Sequence, residues 1–128
     1  MRLSPVMDNL QSALDFLGGV LDKTNCSAKV RMALETVVEE VFVNIVKYAN
    51  ATAAELTILV QNETITLTFT DDGIPFNPLA VEPPDITLPA AQRSIGGLGV
   101  LMVQKMTDRQ SYVYQDGMNR LTLEKRLD

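Results

Sequence analysis

Residues 93–103, RSIGGLGVLMV, set Gly96, Gly97 and Gly99 directly ahead of an apolar, helix-forming run. Glycine permits positive φ and a close approach of backbone to a ligand. The start of the following helix offers free N–H groups and the positive end of a dipole, which together suit an anion. The stretch therefore reads as a phosphate site, with a glycine-rich turn that merely packs against a helix as the alternative. It is not a Walker A loop, because no Gly-Lys-Ser/Thr follows. It also fails the dinucleotide fingerprint of a doubly wound sheet, which needs a preceding strand. Here the irregular segment PPDITLPAAQ, 83–92, precedes it. The fold must then come from the elements on either side.

Downstream, residues 98–108 read as a helix, and 110–116 with 119–126 as a hairpin around Asp116-Gly117. Upstream, residues 71–95 are irregular and carry five of the six prolines. A loop this long in a compact domain is usually functional or mobile, and residues 79–97 read as a lid. Before it, ELTILVQ (55–61) and TITLTFT (64–70) alternate and are rich in β-branched residues. Asn62 and Glu63 between them predict a second hairpin. Residues 28–49 form the strongest helix, with Val30, Leu34, Val37, Val38, Val41, Ile45 and Tyr48 on one stripe and Ser27 as its cap. Residues 6–22 carry Val6, Leu10, Leu14, Leu17 and Leu21 at helical spacing. Gly18 and Gly19 weaken that helix by roughly 1 kcal/mol each relative to Ala. A short first strand is expected around Arg2–Ser4. The whole, residues 1–128, reads as one α/β (α+β) two-layer sandwich. Its sheet is mixed but mostly antiparallel, with about four to five strands and three helices on one face.

The chain has 128 residues, 46% hydrophobic and 21% charged, with a formal net charge of −5. That balance fits a domain with a real core and argues against bulk nucleic-acid or anionic-membrane binding. The single cysteine, Cys26, excludes an internal disulfide and suits a reducing cytoplasm. With no histidine anywhere, histidine metal ligands, Ser-His-Asp catalysis and phosphorylation of the chain on histidine are excluded. No apolar run reaches the roughly 18 residues of a membrane span.

On the long helix, Asn44 lies about 40° around the axis from Glu40, and Lys47 about 20° on the other side. A carboxylate, an amide and an ammonium thus flank the apolar stripe together, while Glu35 and Glu39 point to solvent. The carboxylate can accept a proton, the amide oxygen can bind Mg²⁺, and the ammonium can meet a phosphate. The alternative is a solvated flank with a Glu40–Lys47 charge pair. After the second strand comes TDDGIPFNP, 70–78. There Asp71 or Asp72 can face a pocket and accept a hydrogen bond from an exocyclic amine. The alternative is a strand-ending Asp-Gly turn.

The segments EEVFVNIVKYA, DDGIPFNP and IGGLGVLMVQKMTD occur in that order along the chain. Together they resemble the N, G1 and G2 boxes of the Bergerat-fold (GHKL) ATP-binding superfamily, and within it the anti-sigma-factor serine kinases and their stand-alone relatives. The resemblance spans nearly the whole chain. It implies Glu40 as the general base toward an acceptor serine, and Asn44 as the Mg²⁺ ligand. Lys47 would be a phosphate contact. Asp71 would read the adenine amino group, and Gly73 would let the base approach the backbone. Gly96, Gly97, Leu98 and Gly99 would form the phosphate loop, with Arg93 as a lid contact. IPF follows Gly73 where many members have Gly-Ile, and no histidine-bearing dimerisation helix is present.

The resemblance implies a cytoplasmic protein kinase that takes ATP and Mg²⁺. It would act on a serine of an anti-anti-sigma (STAS-type) partner, sequester a sigma factor, or do both, and a homodimer is expected by the same analogy. No direct nucleic-acid or membrane contact is expected. The alternative is an ATP-dependent clamp or adaptor without phosphotransfer.

Overall fold

A computed structural model describes residues 1–80 and 97–128. The chain opens with a two-residue strand, β1 (Arg2–Leu3), and two helices follow, α1 (Leu10–Leu21) and α2 (Ala28–Tyr48). A hairpin of β2 (Ala54–Gln61) and β3 (Thr64–Asp71) comes next, then a 3₁₀ turn at Pro78–Ala80. α3 (Gly97–Met106) and the hairpin of β4 (Arg109–Gln115) and β5 (Met118–Arg126) complete the described chain. The five strands form one antiparallel sheet in the order β1-β2-β3-β5-β4. The sheet is wholly antiparallel rather than mixed.

Alternation decides which sheet face is covered. Ile65, Leu67, Phe69 and Asp71 of β3 are buried, as are Asn119, Leu121 and Leu123 of β5. The threonines between them on β3 turn to the other face. The covered side meets Ala13, Leu17 and Leu21 of α1, Leu34, Val37, Val38, Val41 and Ile45 of α2, and Val103 of α3. The Ser27 hydroxyl accepts from the Val30 N–H at 3.1 Å, so the expected cap of α2 is realised. Tyr48, expected on the apolar stripe, is exposed at the helix end.

Both hairpin turns have positive φ at their two central residues, Asn62-Glu63 and Asp116-Gly117. This backbone matches the right-handed twist of the flanking strands. α1 starts four residues later than the sequence suggests. Val6 is extended, the Asn9 side chain donates to the Ser4 carbonyl, and Met7–Asn9 make only a 3₁₀ turn.

Asp72 fastens the loop that leaves α2. Its Oδ1 accepts from the Thr52 N–H at 2.7 Å and the Ala53 N–H at 3.0 Å, and its Oδ2 from the Thr52 hydroxyl. These donors, the Thr52 hydroxyl first, hold the carboxyl below the ordinary carboxylate range. Because the folded value is the depressed one, the stabilisation is complete above the ordinary range. It is lost as the pH falls through the folded value. Thr52→Val is therefore expected to move the Asp72 titration upward, to lower stability at neutral pH and to make the acid-side loss of stability shallower, because the folded and unfolded values draw together. Carboxyl NMR titration with neutral and acid melts checks all three.

Candidate functional site

α2, the end of β3, α3 and the inner faces of β4 and β5 converge on one cleft, which holds about 590 Å³ counting its open mouth. Val41, Ile45, Phe69, Val103 and Leu121 make apolar walls, and Phe76, Pro78 and Leu79 flank it. The polar groups that reach it are Asn44 from α2, Asp71, Tyr112 and Asn119. An apolar slot with a few polar groups suits a flat heteroaromatic ring better than a free sugar or a peptide.

Asp71 closes β3 on the core-facing parity and is 5% exposed. Its Oδ1 accepts from the Gly73 N–H at 2.9 Å and from Asn119 Nδ2 at 3.0 Å. Among the described residues, no group donates to its Oδ2. Asp72 is exposed and tied to Thr52 and Ala53. The choice between the two aspartates therefore falls on Asp71 as the cleft carboxylate.

Gly73 has a structural reason of its own. A Cβ there would stand 2.2 Å from the Ala49 carbonyl oxygen, where the turn docks on the end of α2. The Ile74 N–H donates to that same oxygen at 2.8 Å. The close approach at Gly73 is thus to the helix end. Gly73→Ala is expected to cost roughly 1–3 kcal/mol by forcing the turn off α2, read as a lower urea midpoint at unchanged slope.

Among the described residues, Glu40 and Lys47 form no ion pair, so the charge pair of the alternative reading is not made. Glu40 is half-buried on α2, one turn before Asn44, and does not line the cleft. Lys47 is exposed and also lies off it. Gly97, Leu98 and Gly99 form the first turn of α3 rather than a loop ahead of it. The N–H groups of a first helical turn have no acceptor inside the helix. α3 packs against α2 and sends Val103 into the cleft. It ends two residues earlier than expected. The Thr107 hydroxyl donates to the Val103 carbonyl, and Gln110 Nε2 donates to the Gln104 and Thr107 carbonyls. Arg93, Gly96 and residues 81–96 of the expected lid lie outside the described residues.

Asn119 and Tyr112, both lining the cleft, escaped the sequence reading. Asn119 is 5% exposed, and its Nδ2 donates to Asp71 Oδ1 and, at 2.7 Å, to the Ile74 carbonyl. Its Oδ1 accepts from the Phe76 N–H at 3.1 Å and from the Tyr112 hydroxyl. The available signal was an amide on the parity of Leu121 and Leu123, where an apolar residue is expected.

Among the described residues no helix is long and apolar enough to cross a membrane. No curated protein matches the sequence. The fold is similar to the crystal structure of the RsbU and RsbW domains of Rv1364c from Mycobacterium tuberculosis. The TM-score is 0.65 at 12% identity, over 99% of this chain and 32% of that one. It is also similar to the Acinetobacter baumannii histidine kinase AdeS, with a TM-score of 0.60 at 16% identity, over 100% of this chain and 68% of that one. The chain thus spans about a third of the first of these structures. The model of the histidine kinase-like ATPase domain matches residues 3–125, and the chain belongs to that family.

Proposed function

We propose that this chain binds ATP with Mg²⁺ in the cleft and acts as a regulatory protein kinase of the anti-sigma-factor serine kinase type. The observation that carries the nucleotide reading is Asp71, a buried carboxylate at an apolar cleft with one oxygen already held and the other without a donor among the described residues. The kinase reading adds Glu40, four residues before Asn44 on the same helix. The likeness to the RsbU and RsbW domains of Rv1364c supports the anti-sigma assignment by analogy.

ATP supplies the transferable γ-phosphoryl group, and Mg²⁺ supplies charge neutralisation on the phosphates. Asp71 Oδ2 accepts the N–H of the adenine amino group, while the apolar walls hold the ring. Asn44 offers one hard oxygen. Among the described residues no group of three or more His, Cys, Asp or Glu side chains could hold a metal. Mg²⁺ fits such a site because it usually keeps several waters and takes its other ligands from phosphate oxygens. The first turn of α3, Gly97 to Gly99, presents N–H groups to phosphate, with Gly96, Lys47 and Arg93 as further contacts. Glu40 accepts the proton of the acceptor hydroxyl. Positioning and charge stabilisation do most of the work in such transfers.

The acceptor is a serine of a small anti-anti-sigma partner, and/or the same domain sequesters a sigma factor. Incubation with labelled ATP, Mg²⁺ and such a partner should label the partner on serine. Calorimetry should show ATP binding that tightens with Mg²⁺. Absence of ATP binding at millimolar Mg²⁺ sinks the whole reading; binding without transfer to any partner leaves the ATP-dependent clamp.

A further inference from the structure

We infer that Asn119 is a positioning residue for base recognition: it aims the Asp71 carboxylate and joins it to the aromatic side of the cleft. The inference rests on the ATP reading above and assigns a role within that same site.

A primary amide has two N–H donors and an oxygen with two lone pairs. Asn119 uses all four. Nδ2 donates to Asp71 Oδ1 at 3.0 Å and to the Ile74 carbonyl at 2.7 Å. Oδ1 takes the Phe76 N–H at 3.1 Å and the Tyr112 hydroxyl. Nothing on Asn119 is left for a ligand, so its contribution passes through Asp71. The two residues face each other directly across β3 and β5.

The amide and the Gly73 N–H both converge on Oδ1. That fixes the carboxylate rotamer and reserves Oδ2 for the ligand. The same amide ties the turn carrying Ile74 and Phe76 to β5. The Tyr112 hydroxyl, which also accepts from the Phe76 N–H at 3.2 Å, closes the network. A buried network in which only Asp71 Oδ2 is left open is stiff, and a stiff acceptor discriminates between ligands with and without the matching donor.

The test compares ATP with the triphosphate of purine riboside, which lacks only the 6-amino group, by calorimetry with Mg²⁺. The parent is expected to prefer ATP by roughly 10- to 150-fold, the span of one charge-assisted hydrogen bond. Asn119→Leu removes the whole network. Asn119→Asp keeps an acceptor for Phe76 and Tyr112 but loses both donors. In each, the preference is expected to fall to about threefold or less, mainly through weaker ATP binding, because a misaimed carboxylate loses its bond to the amino group. Tyr112→Phe removes one hydroxyl from the rim of the network and keeps the fold testable should the other two variants melt. Its preference is expected to fall about threefold, a modest share of one hydrogen bond. A parent-like ratio in the folded variants, or equal losses for both triphosphates, overturns the positioning role and leaves the ATP reading standing. A parent with no preference between the two overturns the Asp71 reading itself, and the positioning role with it.

Discussion

Glu40→Gln is expected to lower phosphotransfer to the partner by roughly 10²- to 10⁴-fold, the usual worth of a general base, while ATP affinity stays within about threefold. The substitution keeps size and shape and removes the proton acceptor, so the transition state loses more than the ground state. The structure makes this a clean experiment. Glu40 is half-buried and lines no part of the cleft, and its side chain makes no hydrogen bond or ion pair with the described residues. Stability should therefore shift by no more than about 0.5 kcal/mol, as for a substitution away from any packed or paired site. A rate loss without a melting shift, measured at saturating partner, is not a folding or docking defect and reports on the chemistry. Single-turnover transfer from labelled ATP, beside calorimetry on the same variant, reads both quantities. Transfer at the parent rate removes Glu40 from the mechanism.

Glu40 lies off the cleft, so in the proposed role it would meet a hydroxyl brought by an incoming protein. Asn44, one turn further along, does reach the cleft. The helix thus offers one polar residue to the ligand side and another outside it.

What could be read in advance was governed by local rules. The α2 stripe and its Ser27 cap follow from spacing within one helix, and both hairpins from two-residue turns. The residues alone left Asp71 and Asp72 open, and only the resemblance picked Asp71; in the structure Asp71 continues the buried alternation Ile65, Leu67, Phe69 and Asp72 does not. Long-range pairing was not legible. The bond from Asn119 to Asp71 joins residues 48 apart, and its partner is fixed only when β5 takes its register beside β3. The docking of Gly73 on Ala49 likewise depends on how the turn meets the end of α2. The start of α1 was misjudged because Val6 fits the apolar spacing, although the chain around it is extended and held by Asn9.

Asp71→Asn is expected to weaken ATP binding by roughly 10- to 150-fold, the loss of one charge-assisted hydrogen bond of about 1.5–3 kcal/mol. The surrounding donors decide which way the new amide points. The Gly73 N–H and Asn119 Nδ2 both approach the Oδ1 position, so the amide oxygen must sit there and the NH₂ group must take the place of Oδ2. Two donors then face each other where the adenine amino group arrives. A purine that carries a carbonyl at that carbon meets a matched donor instead. The variant should therefore bind inosine triphosphate better relative to ATP than the parent does, with the ratio moving by at least the factor lost on ATP. The fold should hold, because both hydrogen bonds to the retained oxygen persist and no buried charge is left unpaired. Calorimetry with the two triphosphates and a thermal melt on the same sample measure all three quantities. Unchanged ATP affinity with a normal melt would remove Asp71 from base recognition. Equal losses for both triphosphates would show a general defect of the cleft rather than a change in which base it reads.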